Sequence, residues 1–303
     1  MKKKAILIAT FAVATLTASA ATAQNDGIIT IKTHKAGRAL VEKWIEAYKT
    51  VNPDVEIAVV SGRNADADLT LVSGHQKGAQ VTRVGRYALL PVTSTGNPLL
   101  SDIQRKEWRS KDLKRLFFTT EDLDEEYEEE AAGKHNKLKD KLTVYSGSGK
   151  ASFSPVFAAH FGRTADDLRG NHIAGDDLYL LSAISDDKAS VTFNVLSNLY
   201  NLSTRTLRSD LALLPLDVKK TQSEVLLSGN LDETLELIER EDIDLIPVED
   251  IGFTYTAFDR DIDHFLQWIV RNGQQYNHAA GFLRLTEQEV ESQLHVLTQT
   301  LNN

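Results

Sequence analysis

Apolar and polar positions alternate or recur along this chain in a way that lays out its elements. Ile28-Ile29-Thr30-Ile31 reads as a short strand, followed by a loop from Thr33 to Gly37. Leu40, Val41, Trp44, Ile45 and Tyr48 then fall on one face of a helix, which stops before Asn52-Pro53. Residues 55–60 and 67–72 read as strands, and the strand–helix–strand–strand order predicts βαβ units and a largely parallel sheet. Residues 87–92 form a further strand, whose Pro91 suggests a strand end or an edge. The turn formers of 93–98 suit a crossover between lobes.

The second half continues the alternation. A short amphipathic helix covers 113–118, strands cover 142–145 and 191–195, and helices cover about 154–161 and 176–184. Thr164 and Asp167 have capping-box spacing, and 211–214 suits a strand returning to the first lobe. Two helices close the pattern. One carries Ile262, Phe265, Leu266 and Ile269 and ends at Gly273, expected as a left-handed cap. The other opens on a Thr286/Glu289 capping box and turns Val290, Leu294, Leu297 and Leu301 to one side. No internal repeat or low-complexity linker interrupts this.

The first residues have a different character. Lys2, Lys3 and Lys4 precede an uncharged stretch to Ala20, and Ala21-Thr22-Ala23 offers small residues at alternate positions. The apolar run is shorter than the roughly 20 residues a spanning helix needs. The expectation is therefore a signal peptide cleaved after Ala23, and a periplasmic protein of about 280 residues, enough for two domains. The chain has no Cys, which excludes a disulfide scaffold and a lipoprotein anchor. A formal net charge of −9 argues against nucleic acid and anionic membrane surfaces as partners. It does not argue against a small anion, which backbone N–H groups and helix N-termini can hold. The run from Glu121 to Glu130 has eight carboxylates in ten residues, without the Asp/Asn and Gly spacing of a calcium loop. It reads as an exposed helical excursion.

Three loops at strand ends carry the candidate chemistry. Ser146-Gly147-Ser148-Gly149-Lys150-Ala151-Ser152 joins a strand to a helix and can aim successive N–H and O–H groups at one point. A nucleotide P-loop is excluded, because Val144 stands at the first glycine position and Ala151 replaces the magnesium-binding Ser or Thr. Thr33, His34 and Lys35 offer a hydroxyl and positive charge before a helix, and Ser73 follows a third strand. Ligands of open α/β sheets bind beyond the carboxyl ends of strands, so the three loops are candidates for one cleft. Gly147-Ser148-Gly149 lacks the spacing of a nucleophile elbow, and the eight histidines form no compact ligand pair. Neither an enzyme nor a metal or other cofactor is expected.

In order along the chain, these segments resemble the substrate-binding proteins of ABC-type phosphate uptake systems. The resemblance rests on Trp44-Ile45-Glu46-Ala47-Tyr48 with Asn52-Pro53, on Asp68-Leu69 with Ser73, and on Gly85-Arg86-Tyr87-Ala88-Leu89 through Asn97-Pro98-Leu99. It rests also on the strand, Ser/Gly loop and helix of 142–161, and on Phe265-Leu266-Gln267-Trp268-Ile269 with Gly273-Gln274 and Gly281-Phe282. It implies an α/β, two-lobed type II periplasmic binding protein fold with a hinge and an interlobe cleft. It further implies a dehydrated tetrahedral oxyanion, phosphate first, held between the lobes and passed to an inner-membrane ABC permease. The lobes would comprise 27–94 with 209–303, and 95–208. The implied ligand groups are Thr33, Ser73, Ser148, Gly149 and Ser152, with His34, Lys35, Ser146 and Lys150 beside them. The arginine that this family carries before its Ser-Gly-Thr is here Gly147 or Ser146, and Lys150-Ala151-Ser152 stands for the threonine. Lysine is a mobile point charge where arginine is a rigid fork. A different expectation follows from the missing arginine and the acidic excursion: a binding fold without a small ligand, acting in envelope interaction or signalling.

Overall fold

The computed structural model describes residues 27–62, 66–74, 78–119, 136–149 and 152–301. Residues 1–26, where the signal peptide is expected, the acidic run at 121–130 and Lys150 lie outside them.

The chain begins with β1 (Ile28–Lys32), α1 (Lys35–Val51), β2 (Glu56–Val60) and β3 (Leu69–Ser73). β1 runs parallel to both β2 and β3, as the spacing of a βαβ unit predicts. α1 buries the predicted face of Leu40, Val41, Trp44, Ile45 and Tyr48 and ends at Asn52, whose N–H donates to the Tyr48 carbonyl at 2.9 Å.

β4 (Thr82–Ser94) is longer than the strand expected from 87–92, and it ties the molecule together. Pro91 lies inside it, opposite Phe193, rather than at an end or an edge. The Pro91 carbonyl accepts from Leu214 N at 3.1 Å, so its nitrogen faces the same side. There one partner strand has ended and the next has not begun, so the missing N–H removes no ladder bond.

The second half follows with α2 (Leu100–Gln104), α3 (Ser110–Phe117), α4 (Asn136–Lys139), β5 (Thr143–Ser148), α5 (Ser154–His160), β6 (Asn171–Ala174), α6 (Leu178–Asp186) and β7 (Ser190–Val195). Its core is aromatic. Phe157 of α5 stacks on Phe193 of β7 at 3.7 Å between centroids, with Phe117, Phe118 and Phe161 around them. The chain returns through α7 (Leu196–Leu199), a small hairpin of β8 (Tyr200–Asn201) and β9 (Thr206–Leu207), β10 (Leu211–Leu213), α8 (Lys220–Leu227), α9 (Leu231–Arg240) and β11 (Val248–Tyr255). It closes with α10 (Arg260–Asn272) and α11 (Glu287–Leu301).

One sheet results, in the order β2-β1-β3-β11-β4-β7-β5-β6, with β10 also paired to β4. Parallel pairs lie at its two ends, but β4 and β11 run antiparallel to their neighbours. The sheet is therefore mixed, which corrects the expectation of a largely parallel one. Gly273 is a second correction. It is right-handed at φ −67°, and Gly281 at φ 77° holds the left-handed turn. Gly273 is needed for space instead: its carbonyl accepts the Trp44 Nε1–H at 3.0 Å, and a side chain there would press on that indole. Among the described residues no helix is long and apolar enough to cross a membrane.

Candidate functional site

The turn from β1 into α1 is built around His34. Its Nδ1 accepts the Gly37 N–H at 3.1 Å and so caps α1. An accepting Nδ1 puts the hydrogen of the neutral ring on Nε2, which is buried and has no hydrogen-bond partner. Burial lowers the imidazole pKa to about 4 against the opposing pull of Asp176, so the ring is neutral at neutral pH. Thr33 donates its hydroxyl to the His34 carbonyl at 3.0 Å. Lys35 is exposed, with its ammonium 5.1 Å from the ring centre of Tyr179 on α6.

The end of β3 lies close by. The Ser73 hydroxyl is beside the Tyr87 phenol, which burial makes a much weaker acid than usual. Gly74, at φ 70°, brings its backbone against Val156 of α5: an added Cβ would lie 3.4 Å from Val156 Cγ2. The Tyr87 and Phe153 rings stand 5.0 Å apart, and Phe153 also meets the His34 ring edge-on at 5.7 Å. Phe153 thus sits between two groups from the opposite half of the sheet.

The Ser/Gly turn after β5 divides into two parts. Ser146 is fully buried and its Oγ pairs with His172 Nδ1 at 2.9 Å, across to β6. Ser148 is half-buried opposite Ala174, and Gly149, at φ 110°, faces open space. Ser152 turns inward. Its Oγ accepts from Ser154 N at 3.1 Å and donates to Asp177 Oδ2 at 3.4 Å. The same carboxylate oxygen accepts the Phe153 N–H at 2.8 Å. Gly147 makes room for this arrangement, because a Cβ there would collide with Asp177 Oδ1 and Ser152 Oγ. Asn194 Nδ2 donates to the Asp177 carbonyl at 2.7 Å and fixes the turn.

Asp177 is 3% exposed, and burial raises its pKa to about 6 despite the two donors on Oδ2. Its Oδ1 is buried without a partner, and so is the hydroxyl of Ser154. Buried polar groups are nearly always paired, so the unpaired His34 Nε2, Ser154 Oγ and Asp177 Oδ1, on residues that pack on or adjoin Phe153, are exceptions to that rule. His34 Nε2–H and the Ser154 hydroxyl are donors, while Asp177 Oδ1 is an acceptor when ionised.

The structure therefore brings together the turns at 33–34, 73–74 and 152–154, from both halves of the sheet. Ser146 is committed to His172, and Lys35 lies over Tyr179. Phe153, Ser154, Tyr87 and Asp177 are additions that the sequence reading does not contain. Phe153 and Ser154 directly follow the Ser/Gly loop, which is a usable signal. Asp177 has none, since its partners are 24 and 25 residues away. Among the described residues no group of three His, Asp or Glu side chains can hold a metal.

No protein-family model matches this chain, and no curated sequence is similar to it. Solved structures are. A putative phosphate ABC transporter substrate-binding protein from Clostridium perfringens, solved with bound phosphate, superposes with a TM-score of 0.58 at 14% identity, over 86% of this chain and 100% of that one. An ABC-type phosphate transport receptor from Vibrio cholerae superposes with a TM-score of 0.52 at 11% identity, over 85% and 100%. The chain has the type II periplasmic binding protein fold. The expected α/β architecture is the observed one, and Phe153 of one half packs against His34 and Tyr87 of the other.

Proposed function

We propose that this chain is a solute-capture protein that closes on a small oxyanion, inorganic phosphate first, in the seam around Phe153. It binds without turnover and hands the anion to an inner-membrane ABC permease after export to the periplasm. One observation carries this reading: His34 Nε2–H and the Ser154 hydroxyl are buried donors without partners, on turns that meet where the His34 ring packs against Phe153. Uncharged donors of this kind suit a dehydrated anion, because each N–H or O–H bond to a charged oxygen is about twice as strong as one between neutral groups. Thr33, Lys35, Ser73, Ser148 and Gly149 belong to the proposed rim. The Ser146–His172 pair does not suggest hydrolysis, since Ser146 has no exposed surface for an acyl group to reach.

A second reading is favoured by a specific observation. Phe153 fills the space between His34 and Tyr87, and the Asp177 carboxylate already sits on the donors of the Ser/Gly turn. On that reading the binding fold takes no small ligand and serves as an envelope interaction or signalling component. Titration calorimetry with phosphate, sulfate, molybdate and tungstate separates the two. Stoichiometric heat with one of these anions supports capture. No heat with any of them sinks it, and recovery of a protein other than a permease from envelope extracts then supports the second reading.

A further inference from the structure

Asp177 is a carboxylate beside the proposed anion site, where a negative charge is out of place. It sits where the Ser/Gly turn meets α5, with Oδ2 on the Phe153 N–H at 2.8 Å and on the Ser152 hydroxyl at 3.4 Å. Those are two of the donors that the turn would otherwise aim at a solute. Gly147 clears the space for it, and Asn194 holds its backbone. Facing it are Asp176 from its own turn and Tyr87 from β4, with His34 of the β1–α1 turn opposite Asp176. Among the described residues no lysine or arginine pairs with it.

We infer that Asp177 is an internal occupant of the capture site: its carboxylate holds the donors of the Ser/Gly turn, and an anion binds only when that carboxylate is neutralised. The inference rests on the oxyanion reading and adds a proton to it. A second negative charge beside an unpaired buried carboxylate is strongly disfavoured, so the carboxyl must take up a proton as the anion enters. The same turn would then explain how donors without arginine avoid standing empty: their own chain covers them until the guest arrives.

The raised pKa of Asp177, about 6, sets the size of the effect. If only the neutral form admits an anion, apparent affinity is reduced by the fraction protonated, about 100-fold at pH 8 and little at pH 5. The test is calorimetric titration of inorganic phosphate into the wild-type chain and Asp177→Asn, at both pH values. The carboxamide keeps the shape and removes the charge. Comparing the proteins at one pH cancels the ionisation of phosphate itself. The expected result is binding about 100-fold tighter for Asp177→Asn at pH 8 and nearly equal binding at pH 5. Equal affinities at both pH values overturn the inference and leave the oxyanion reading intact. No phosphate binding by either protein overturns both. If the variant does not fold, sulfate and the wild-type chain decide, because sulfate keeps its charge throughout. Its Kd must rise about tenfold from pH 7 to pH 8, and a flat profile overturns the inference.

Discussion

His34 and Asp177 are displaced from their ordinary pKa values in opposite directions, by burial on the two sides of one seam. Folding makes His34 harder to protonate, so its contribution to stability falls as pH drops from about 6.5 towards about 4. Folding makes Asp177 harder to ionise, so its contribution falls as pH rises from 3.8 towards about 6. Each shift corresponds to roughly 3 kcal/mol, and in the wild type the two oppose each other over this window. His34→Asn keeps a helix cap but removes the imidazole, leaving Asp177 alone. Its stability should decline between pH 4 and pH 6, whereas that of Asp177→Asn should increase. Urea unfolding at several pH values checks this, and parallel profiles for the two variants would contradict it. The sequence marks His34 as a loop residue before a helix but cannot show that its ring is buried. It cannot show Asp177 at all, because an aspartate before a helix normally reads as a cap and its contact with the Gly147 turn is tertiary.

The elements that the sequence reveals are those with one clean face. α1 and α10 bury the predicted apolar positions, and both expected capping boxes form, with Thr164 N donating to Asp167 Oδ2 and Thr286 N to Glu289 Oε2, each at 2.7 Å. β11 escapes such a reading. Its sequence, Val-Glu-Asp-Ile-Gly-Phe-Thr-Tyr, alternates only over Ile251, Phe253 and Tyr255, too short a stretch to stand out, and the strand slips register at Ile251/Gly252 between β3 and β4. α9 does carry Leu231, Leu235 and Ile238 at helical spacing, a legible signal that the surrounding charges obscure. The joint between α1 and the end of α10 rests on the buried bond from Trp44 to the Gly273 carbonyl. Trp44→Phe leaves that carbonyl unpaired and should destabilise the fold by about 2 kcal/mol, lowering the urea midpoint without changing the slope. An unchanged midpoint would show that this bond contributes nothing.

Across the molecule, sequence order predicts two βαβ regions but not the single sheet that unites them. The decisive piece is β4, whose ends pair with different strands, and no local pattern announces that. The two chain connections run side by side there, with Thr95 N donating to the Asp210 carbonyl at 2.9 Å. In the proposed division into lobes, 27–94 with 209–303 and 95–208, a hinge would lie at this joint. Such a hinge matters only if something between the lobes is worth closing on. The most direct test is a crystal structure of the full chain grown with phosphate. The account predicts tetrahedral density bonded to His34 Nε2 and Ser154 Oγ, with Phe153 displaced from between His34 and Tyr87. Phe153 still in that place, with no anion in the seam at saturating phosphate, would contradict it.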